Sequence, residues 1–541
     1  MNRRIMWSAA VAALAIAGCS SSGTGGPASS TSSPGTAAQA VPTTVNTSAA
    51  CSATPQAGGS LVYARQTGPL TLNPFNPTNG NGDIFADTLI YQGLVMPDPQ
   101  GSQNIVPAVA DKFSVSPDGK TYTFHLRPGI KFSNGQPVTV NDIKYSLDTW
   151  ANPKADPAAV LSSGYKATQI VNSSTVKVQL TQVTPGIIQN MSIFNAMIVP
   201  QNLVQKEGAS FWNSPVGTGP FRVSSWVKGS SITFTASKYY WQPGLPYLHT
   251  VKYLYAQDDN TRILDLKSGQ AQIADGIPYS QIHGLQGAPG IQLQAAKVPY
   301  WVGLWLNHQF GPFQDLKVRQ AMEYALDRTL INQQVFAGVG TIPNSILPQL
   351  KGDAPDSVVH PYTFDLAKAK QLIGQSKYPH GFTAKLQYFA GYTEYTDLAL
   401  LLQQQLGQIG IHLTLQQDDQ ATETTNYTNG SYQMIFPYAE YTSDVFVPDE
   451  YAQFVGVYDG DSGFYSWWKN PAIEQEIVSY VHNPASSRTA QWQKIQADMM
   501  QQTPVINVLD LPFVNAHSDK VCGTHLNALG ADSLQYTWLA K

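Results

Sequence analysis

The stretch PAVADKFSVSPDGKTYTFHLRPGIKFSNGQPVTVND, residues 107–142, decides the fold. Phe113, Ser114 and Val115 form a short strand. Ser116-Pro117-Asp118-Gly119 is a turn in which proline presets φ and glycine accepts a positive one. Tyr122, Phe124 and Leu126 then share one face while Thr123, His125 and Arg127 share the other, the period of a half-buried strand. Pro128-Gly129 interrupts the chain, Ile130, Lys131 and Phe132 resume it, and Asn134-Gly135 predicts a two-residue hairpin turn. Thr139, with Asp142 three positions later, has the form of a capping box opening a helix that carries Ile143, Tyr145, Leu147 and Trp150. The pattern is a β-meander feeding a helix.

Outward from this unit, the chain of 541 residues begins with Asn2, Arg3 and Arg4 before an apolar run too short to span a bilayer comfortably. The run ends at Ile16-Ala17-Gly18-Cys19, small residues before a cysteine. Residues 20–56 are almost entirely Ser, Gly, Thr, Ala and Pro, with neither charge nor aromatic ring, so they read as a disordered linker. Such a tether of roughly 37 residues has a root-mean-square reach of about 35 Å. Nothing later is apolar enough to cross a membrane. The body after it is long enough for two or three domains.

Composition narrows the partners. Hydrophobic residues make up 43% of the chain and charged ones 13%, about half the usual share, with a net charge of −4. Nucleic acid, which needs a basic face, is excluded. The 27 Tyr and 11 Trp point to recognition through aromatic and amide groups. With Cys19 set aside, Cys51 and Cys522 form an even pair and are a disulfide candidate; two unpaired thiols are the other reading.

Further landmarks follow. Residues 61–64 are a strand, and the Pro-, Asn- and Gly-rich loop of residues 68–83 is too long to be idle. Residues 87–94 read as a short helix, and residues 166–180 as two strands. Pro215-Val216-Gly217-Thr218-Gly219-Pro220-Phe221 is glycine-rich but satisfies neither nucleotide-binding pattern, since Pro220 lacks an N–H and no Lys follows in register. Asp315 is expected to cap a helix with Val318, Met322, Ala325 and Thr329 on one stripe, stopped by Gly338. Arg319 and Asp327 are read as a structural pair of charges. Leu398, Leu401, Leu402, Leu406 and Ile409 mark another helix, closed by Gly410 and followed by a strand alternating Ile411, Leu413 and Leu415. The helix–glycine–strand unit gives an α/β character to this region.

Several of these strings resemble one family. The order DGKTYTF-LR-PG-KF-NGQP-T--D, the turn GTGP, the segment TRILDLKSGQAQIA (residues 261–274) and LN---PF-D--VRQA--YALDR--I (residues 306–331) are similar to signatures of the family 5 solute-binding proteins, the peptide- and nickel-binding components of bacterial ABC importers. The N-terminus resembles a lipobox, implying cleavage after Gly18 and lipidation of Cys19, which would anchor the protein stably outside the membrane.

The resemblance implies an α/β, two-lobed periplasmic-binding-protein-like fold of the class II, cluster C type, with an extra small α+β domain in the first lobe. The expected division is residues 1–18 signal peptide, 19–56 anchor and linker, and 57–93, 197–300 and 507–541 lobe I. Residues 94–196 form the small subdomain and 301–506 lobe II, with hinge crossovers near residues 298–304 and 503–508. The implied function is capture of di- to oligopeptides in the interlobe cleft and delivery to a permease driven by an ATPase. The protein is expected to be a monomer, with no cofactor, no metal and no enzymatic activity.

Site residues are expected as follows. In the family, the loop after the first strand lines the cleft, which points to Thr78, Asn79 and Gly80. Ala439-Glu440-Tyr441 resembles the A-D-Y segment that supplies a carboxylate to a peptide's ammonium group, so Glu440 is the expected anchor, with glutamate in place of aspartate. Tyr438, Trp467, Trp468, Trp301 and Trp305 are expected as aromatic walls, and Arg65 lies near the first cleft strand. A metal chelate, haem or oligosaccharide is the alternative ligand. A reading from another class takes Gly460-Asp461-Ser462-Gly463 as the nucleophile string of a secreted serine hydrolase. Four residues without a base and an orienting group read instead as a surface turn.

Overall fold

The computed structural model describes residues 49–52, 54–76, 81–102, 104–152, 154, 164–184, 186–193, 195–296, 300–345, 354–390, 393–436, 466–482, 485–527 and 530–541. The leader, Cys19 and residues 20–48 of the linker lie outside them. So do Thr78, Asn79, Gly80, Tyr438, Glu440 and Ser462.

The opening meander is present. Ala110–Val115 pairs antiparallel with Thr121–Leu126, which pairs with Thr175–Leu180, and Tyr165–Asn172 completes a four-stranded sheet. Gly119 turns the first hairpin at φ 69°. Thr139 and Asp142 form the reciprocal capping box of the helix Val140–Trp150, a device that typically contributes about 1 kcal/mol. The second oxygen of Asp142 accepts the Gln201 N–H at 2.9 Å, so the cap also fixes the chain leaving this unit. Ile143, Leu147 and Trp150 bury against Tyr122, Phe124, Val176 and Val178.

A seven-stranded sheet forms the first lobe. Its central strand Ser60–Arg65 runs parallel to Thr250–Tyr255 on one side and Ile273–Ala274 on the other. The helix expected over residues 87–94 instead spans Asn81–Ile90. The turn at Gly217 and Gly219 explains its own glycines. A Cβ at Gly217 would lie 2.1 Å from the Ile90 carbonyl oxygen, and one at Gly219 would lie 2.4 Å from that of Leu89. The glycines let this turn close onto the end of the helix; the Gly219 N–H donates to the Ile90 carbonyl at 2.8 Å.

A five-stranded sheet forms the second lobe, ordered Ile411–Asp418, Phe382–Phe389, Met434–Phe436, Trp301–Leu306 and Val505–Asp510. The last strand pairs with Trp301–Leu306 as far as Asp510, whereas Phe513–Ser518 pairs in the first sheet. The returning crossover is therefore at residues 511–512, beyond the expected 503–508. The helix capped by Asp315 ends at Ala325, and Asp327 caps a second one, Arg328–Val335, by accepting the Leu330 N–H at 2.9 Å. One continuous helix to Gly338 is thus corrected to two.

Arg319 and Asp327 do not pair. Arg319 instead donates to the carbonyls of Phe313 (2.7 Å), Gln502 (2.7 Å) and Thr503 (3.0 Å), tying its helix to the end of Ala485–Gln502.

The two chain ends of the body meet. Cys51, in the short helical turn Ala49–Ser52, is disulfide-bonded to Cys522, with Cα atoms 5.4 Å apart. Nearby, the buried Asp532 carboxylate accepts from Tyr63 (2.6 Å), Thr524 (2.8 Å) and Asn515 (3.0 Å), and lies 3.2 Å from His517. These bonds fasten the C-terminal segment to the central strand of the first sheet.

Candidate functional site

The site begins with alternation in the strand Trp301–Leu306. Val302, Leu304 and Leu306 face one core, among Val318, Met322 and Leu386. Trp301 and Trp305 face the other way, their rings 5.9 Å apart and tilted by 58°. There they join Tyr432, Ile435, Trp468 and Val505 of the second lobe with Ile84, Phe85, Ile193 and Ala531. Ile84 and Phe85 belong to the helix Asn81–Ile90, which is joined to the first lobe's sheet through the turn described above. The aromatic cluster therefore lies between the lobes.

Trp467 and Trp468 approach it from the end of the segment 437–465. Trp468 is buried, with its ring 6.4 Å from His308. Trp467 is half-buried, has φ 55°, and stands 6.3 Å from Tyr432. A Cβ on Gly430 would come within 2.7 Å of the Trp467 ring, so glycine is what permits that approach. Burial, and then the charge of Arg319, push His308 down to about 3. It is neutral near pH 7, and its Nε2 donates to the Pro504 carbonyl at 2.9 Å. Burial raises the Tyr432 phenol well above its ordinary value.

Arg65, at the end of the central strand Ser60–Arg65, has its partners within the first lobe. The residue is only 3% exposed, and its guanidinium is paired with Asp275 at 2.9 Å within the first lobe. It stands 4.3 Å from the Phe85 ring centroid, with Tyr253 at 5.0 Å and Tyr63 at 5.2 Å. Asp275 also accepts the Gln66 N–H at 2.7 Å. Arg65 thus packs on Phe85, and its carboxylate partner is internal.

The loop leading toward residues 77–80 is held by Asp83, which accepts the N–H groups of Leu70 (2.7 Å) and Thr71 (3.2 Å). One turn on, Asp87 is buried, and desolvation, then the Asp83 charge, raise its pKa well above the usual carboxylate range. Sequence reasoning did not place Phe85, Ile193 or Tyr432 in this cluster. Phe85 fell outside the helix as read, and periodicity carries no signal for which side chains meet across two lobes.

Of the expected site residues, the structure gathers Trp301, Trp305, Trp467 and Trp468 around one cluster and sets Arg65 behind it. Among the described residues no group of His, Cys, Asp or Glu could hold a metal ion. No helix of the described residues is long and apolar enough to cross a membrane.

Comparison with known proteins agrees with this architecture. The chain is 31% identical over 358 residues to the glutathione-binding protein GsiB of Shigella flexneri serotype 5b, covering 66% of this chain and 69% of that one. Its fold matches AgaA from A. tumefaciens R10, solved with agropinic acid (TM-score 0.75, 26% identity), over 89% of this chain and 99% of the other. It also matches DppA from Helicobacter pylori, solved with the peptide STSA (TM-score 0.76, 23% identity), over 90% and 99%. Residues 104–463 match the model of the bacterial extracellular solute-binding proteins, family 5. The chain belongs to the family 5 bacterial extracellular solute-binding proteins.

Proposed function

We propose that the protein captures short peptides, di- to oligopeptides, between its lobes and delivers them to the permease of an ABC importer while held to the cell membrane by lipidated Cys19. The observation that carries this reading is the interlobe cluster of Phe85, Ile193, Trp301, Trp305, Tyr432 and Trp468. Such a cluster offers apolar walls to a small ligand, and closing over it excludes water. The similarity to a protein named for binding glutathione, itself a tripeptide, favours peptides at the short end of the range.

In this mechanism an extended peptide is bound chiefly through main-chain hydrogen bonds, so tolerance of side-chain sequence follows. Glu440 would meet the ligand's ammonium group, and Thr78, Asn79 and Gly80 would line the first-lobe wall. Trp301, Trp305, Trp467, Trp468 and Tyr438 would pack along the ligand. No bond in the ligand is made or broken.

The test is mass spectrometry of small molecules released on denaturing the purified protein, followed by calorimetric titration with glutathione and with di- to pentapeptides. Released peptides and micromolar or tighter binding are expected. A second reading, a non-peptide small solute, is favoured by the similarity to AgaA, solved with agropinic acid. A released opine, glycan or metal chelate would replace the peptide reading with it.

A further inference from the structure

The strand registers turn the same end of each large sheet toward the hinge. The crossovers join the paired residues Ala296 and Phe513 of the first sheet to the paired residues Trp301 and Asp510 of the second. Traced from these pairs, the carboxyl ends of Ser60–Arg65 and Thr250–Tyr255 point to the hinge side of the first lobe. Those of Phe382–Phe389 and Ile411–Asp418 point to the hinge side of the second. The segments that follow these strands therefore border the gap between the lobes.

Two of those segments carry half-buried carboxylates. In the first lobe, Asp259 opens the helix Asp259–Ser268, just past Tyr255. In the second, Glu394 lies in the first turn of the helix Thr393–Gly407, just past Phe389. Asp259 is ion-paired with the fully buried Arg262. Arg262 spends its other N–H groups on the carbonyls of Ala256 (2.8 Å), Gln257 (2.9 Å), Gly276 (3.0 Å) and Asp275 (3.1 Å), so none is left for Glu394. The charges acting on Glu394 are both negative: Asp259 from the first lobe and Asp397 from its own helix. Burial, opposed by a backbone hydrogen bond and reinforced by Asp259 and then Asp397, raises the Glu394 carboxyl to about 7.

We propose that Glu394 and Asp259 form a proton-gated contact between the lobes: closure sets the two carboxylates against each other, and a proton taken up by Glu394 removes the repulsion. Opening separates them, because each belongs to a different lobe, and Glu394 then returns toward the ordinary glutamate value of about 4.3. Between that value and about 7 the closed form holds a proton that the open form releases. Closure, and ligand affinity with it, is thus favoured fully below this window, weakens as pH rises through it, and levels off above it. Cargo is gripped more firmly in mildly acidic surroundings. The device needs only that the lobes close on a ligand, whether or not that ligand is a peptide.

The test is calorimetric titration of the whole mature protein with trialanine, whose own termini stay charged from about pH 5 to pH 7. Half-unit pH steps, each in two buffers of different ionisation enthalpy, read both affinity and proton uptake. Wild type is expected to take up a fraction of a proton on binding and to lose about tenfold in affinity from pH 5 to pH 7. Glu394→Gln should show a flat profile over that range and bind more tightly than wild type at pH 7. Asp259→Asn, which removes the facing charge and keeps Glu394, should move the midpoint of the profile to lower pH. Unchanged profiles in both variants would overturn the proposal. So would a flat profile for Glu394→Gln with an unmoved midpoint for Asp259→Asn, since burial alone would then set the titration. If trialanine does not bind, small-angle scattering of the ligand-free protein decides. A radius of gyration that falls from pH 7 to pH 5 in wild type but not in Glu394→Gln supports the gate, and identical profiles sink it.

Discussion

Arg65 and Asp275, both buried, form an ion pair at 2.9 Å, with the Arg65 guanidinium against the ring of Phe85 in the cluster between the lobes. Removing one partner of such a pair leaves the other charge uncompensated, at a typical cost of about 3–5 kcal/mol. Arg65→Ala is therefore expected to destabilise the protein by an amount in that range, read from urea unfolding. A combined Arg65→Met, Asp275→Asn variant, which keeps an acceptor for the Gln66 N–H and leaves no unpaired charge at the site of the pair, should recover most of the loss. A large drop in ligand affinity for Arg65→Ala with unaltered unfolding would show instead that Arg65 grips the ligand directly.

Cys51 and Cys522 close a loop of 471 positions. A native disulfide typically contributes about 2–5 kcal/mol, largely by restricting the unfolded chain. Replacing both cysteines by serine should lower Tm by several degrees while ligand affinity stays within about twofold, since the bridge lies at the chain ends of the first lobe. Equal melting curves with and without a reducing agent would show the bridge to be thermodynamically idle.

Local chemistry was readable in the sequence, and long-range chemistry was not. The capping box of Thr139 and Asp142 and the turn at Gly119 depend on neighbours within a few positions, so residue type alone reveals them. The second cap at Asp327 follows the same chemistry. The apolar stripe masks it by continuing past to Thr329, and a stripe does not report the extended Leu326 that separates the two helices. The alternation in WVGLWL places Trp301 and Trp305 on one face. That they meet Phe85 and Ile193, or that the partner of Arg65 is Asp275, is decided by how distant strands come together, which periodicity cannot encode.

Trp305 packs against Trp301 where the lobes meet, and both are only 2% exposed. Separating the lobes would wet both rings. Ligand added to the unliganded protein should therefore shift tryptophan emission to shorter wavelength, with saturation matching the calorimetric Kd. Trp305→Phe should reduce the amplitude of that shift while keeping most of the buried apolar surface. A full-sized shift in this variant would move the reporting rings elsewhere in the chain.

Asp87 gives the clearest pH signature. It is 1% exposed, its Oδ1 has no hydrogen-bond partner, and burial followed by the nearby Asp83 charge raises its pKa in the folded state. An unfolded aspartate titrates near about 3.9, so above that pH the folded protein holds a proton that the unfolded chain releases. Stability is then greatest below the unfolded pKa and declines as pH rises, until the raised folded pKa is passed and the loss levels off. Asp87→Asn keeps the shape and removes the titration. The variant should match wild type near pH 4 and exceed it increasingly toward neutral pH, by about 1.4 kcal/mol for each pH unit across that window. Urea unfolding at half-unit steps from pH 4 to pH 8 measures the difference. A constant offset between the two proteins would mean that Asp87 has the same proton affinity folded and unfolded, and that its burial is compensated by a partner.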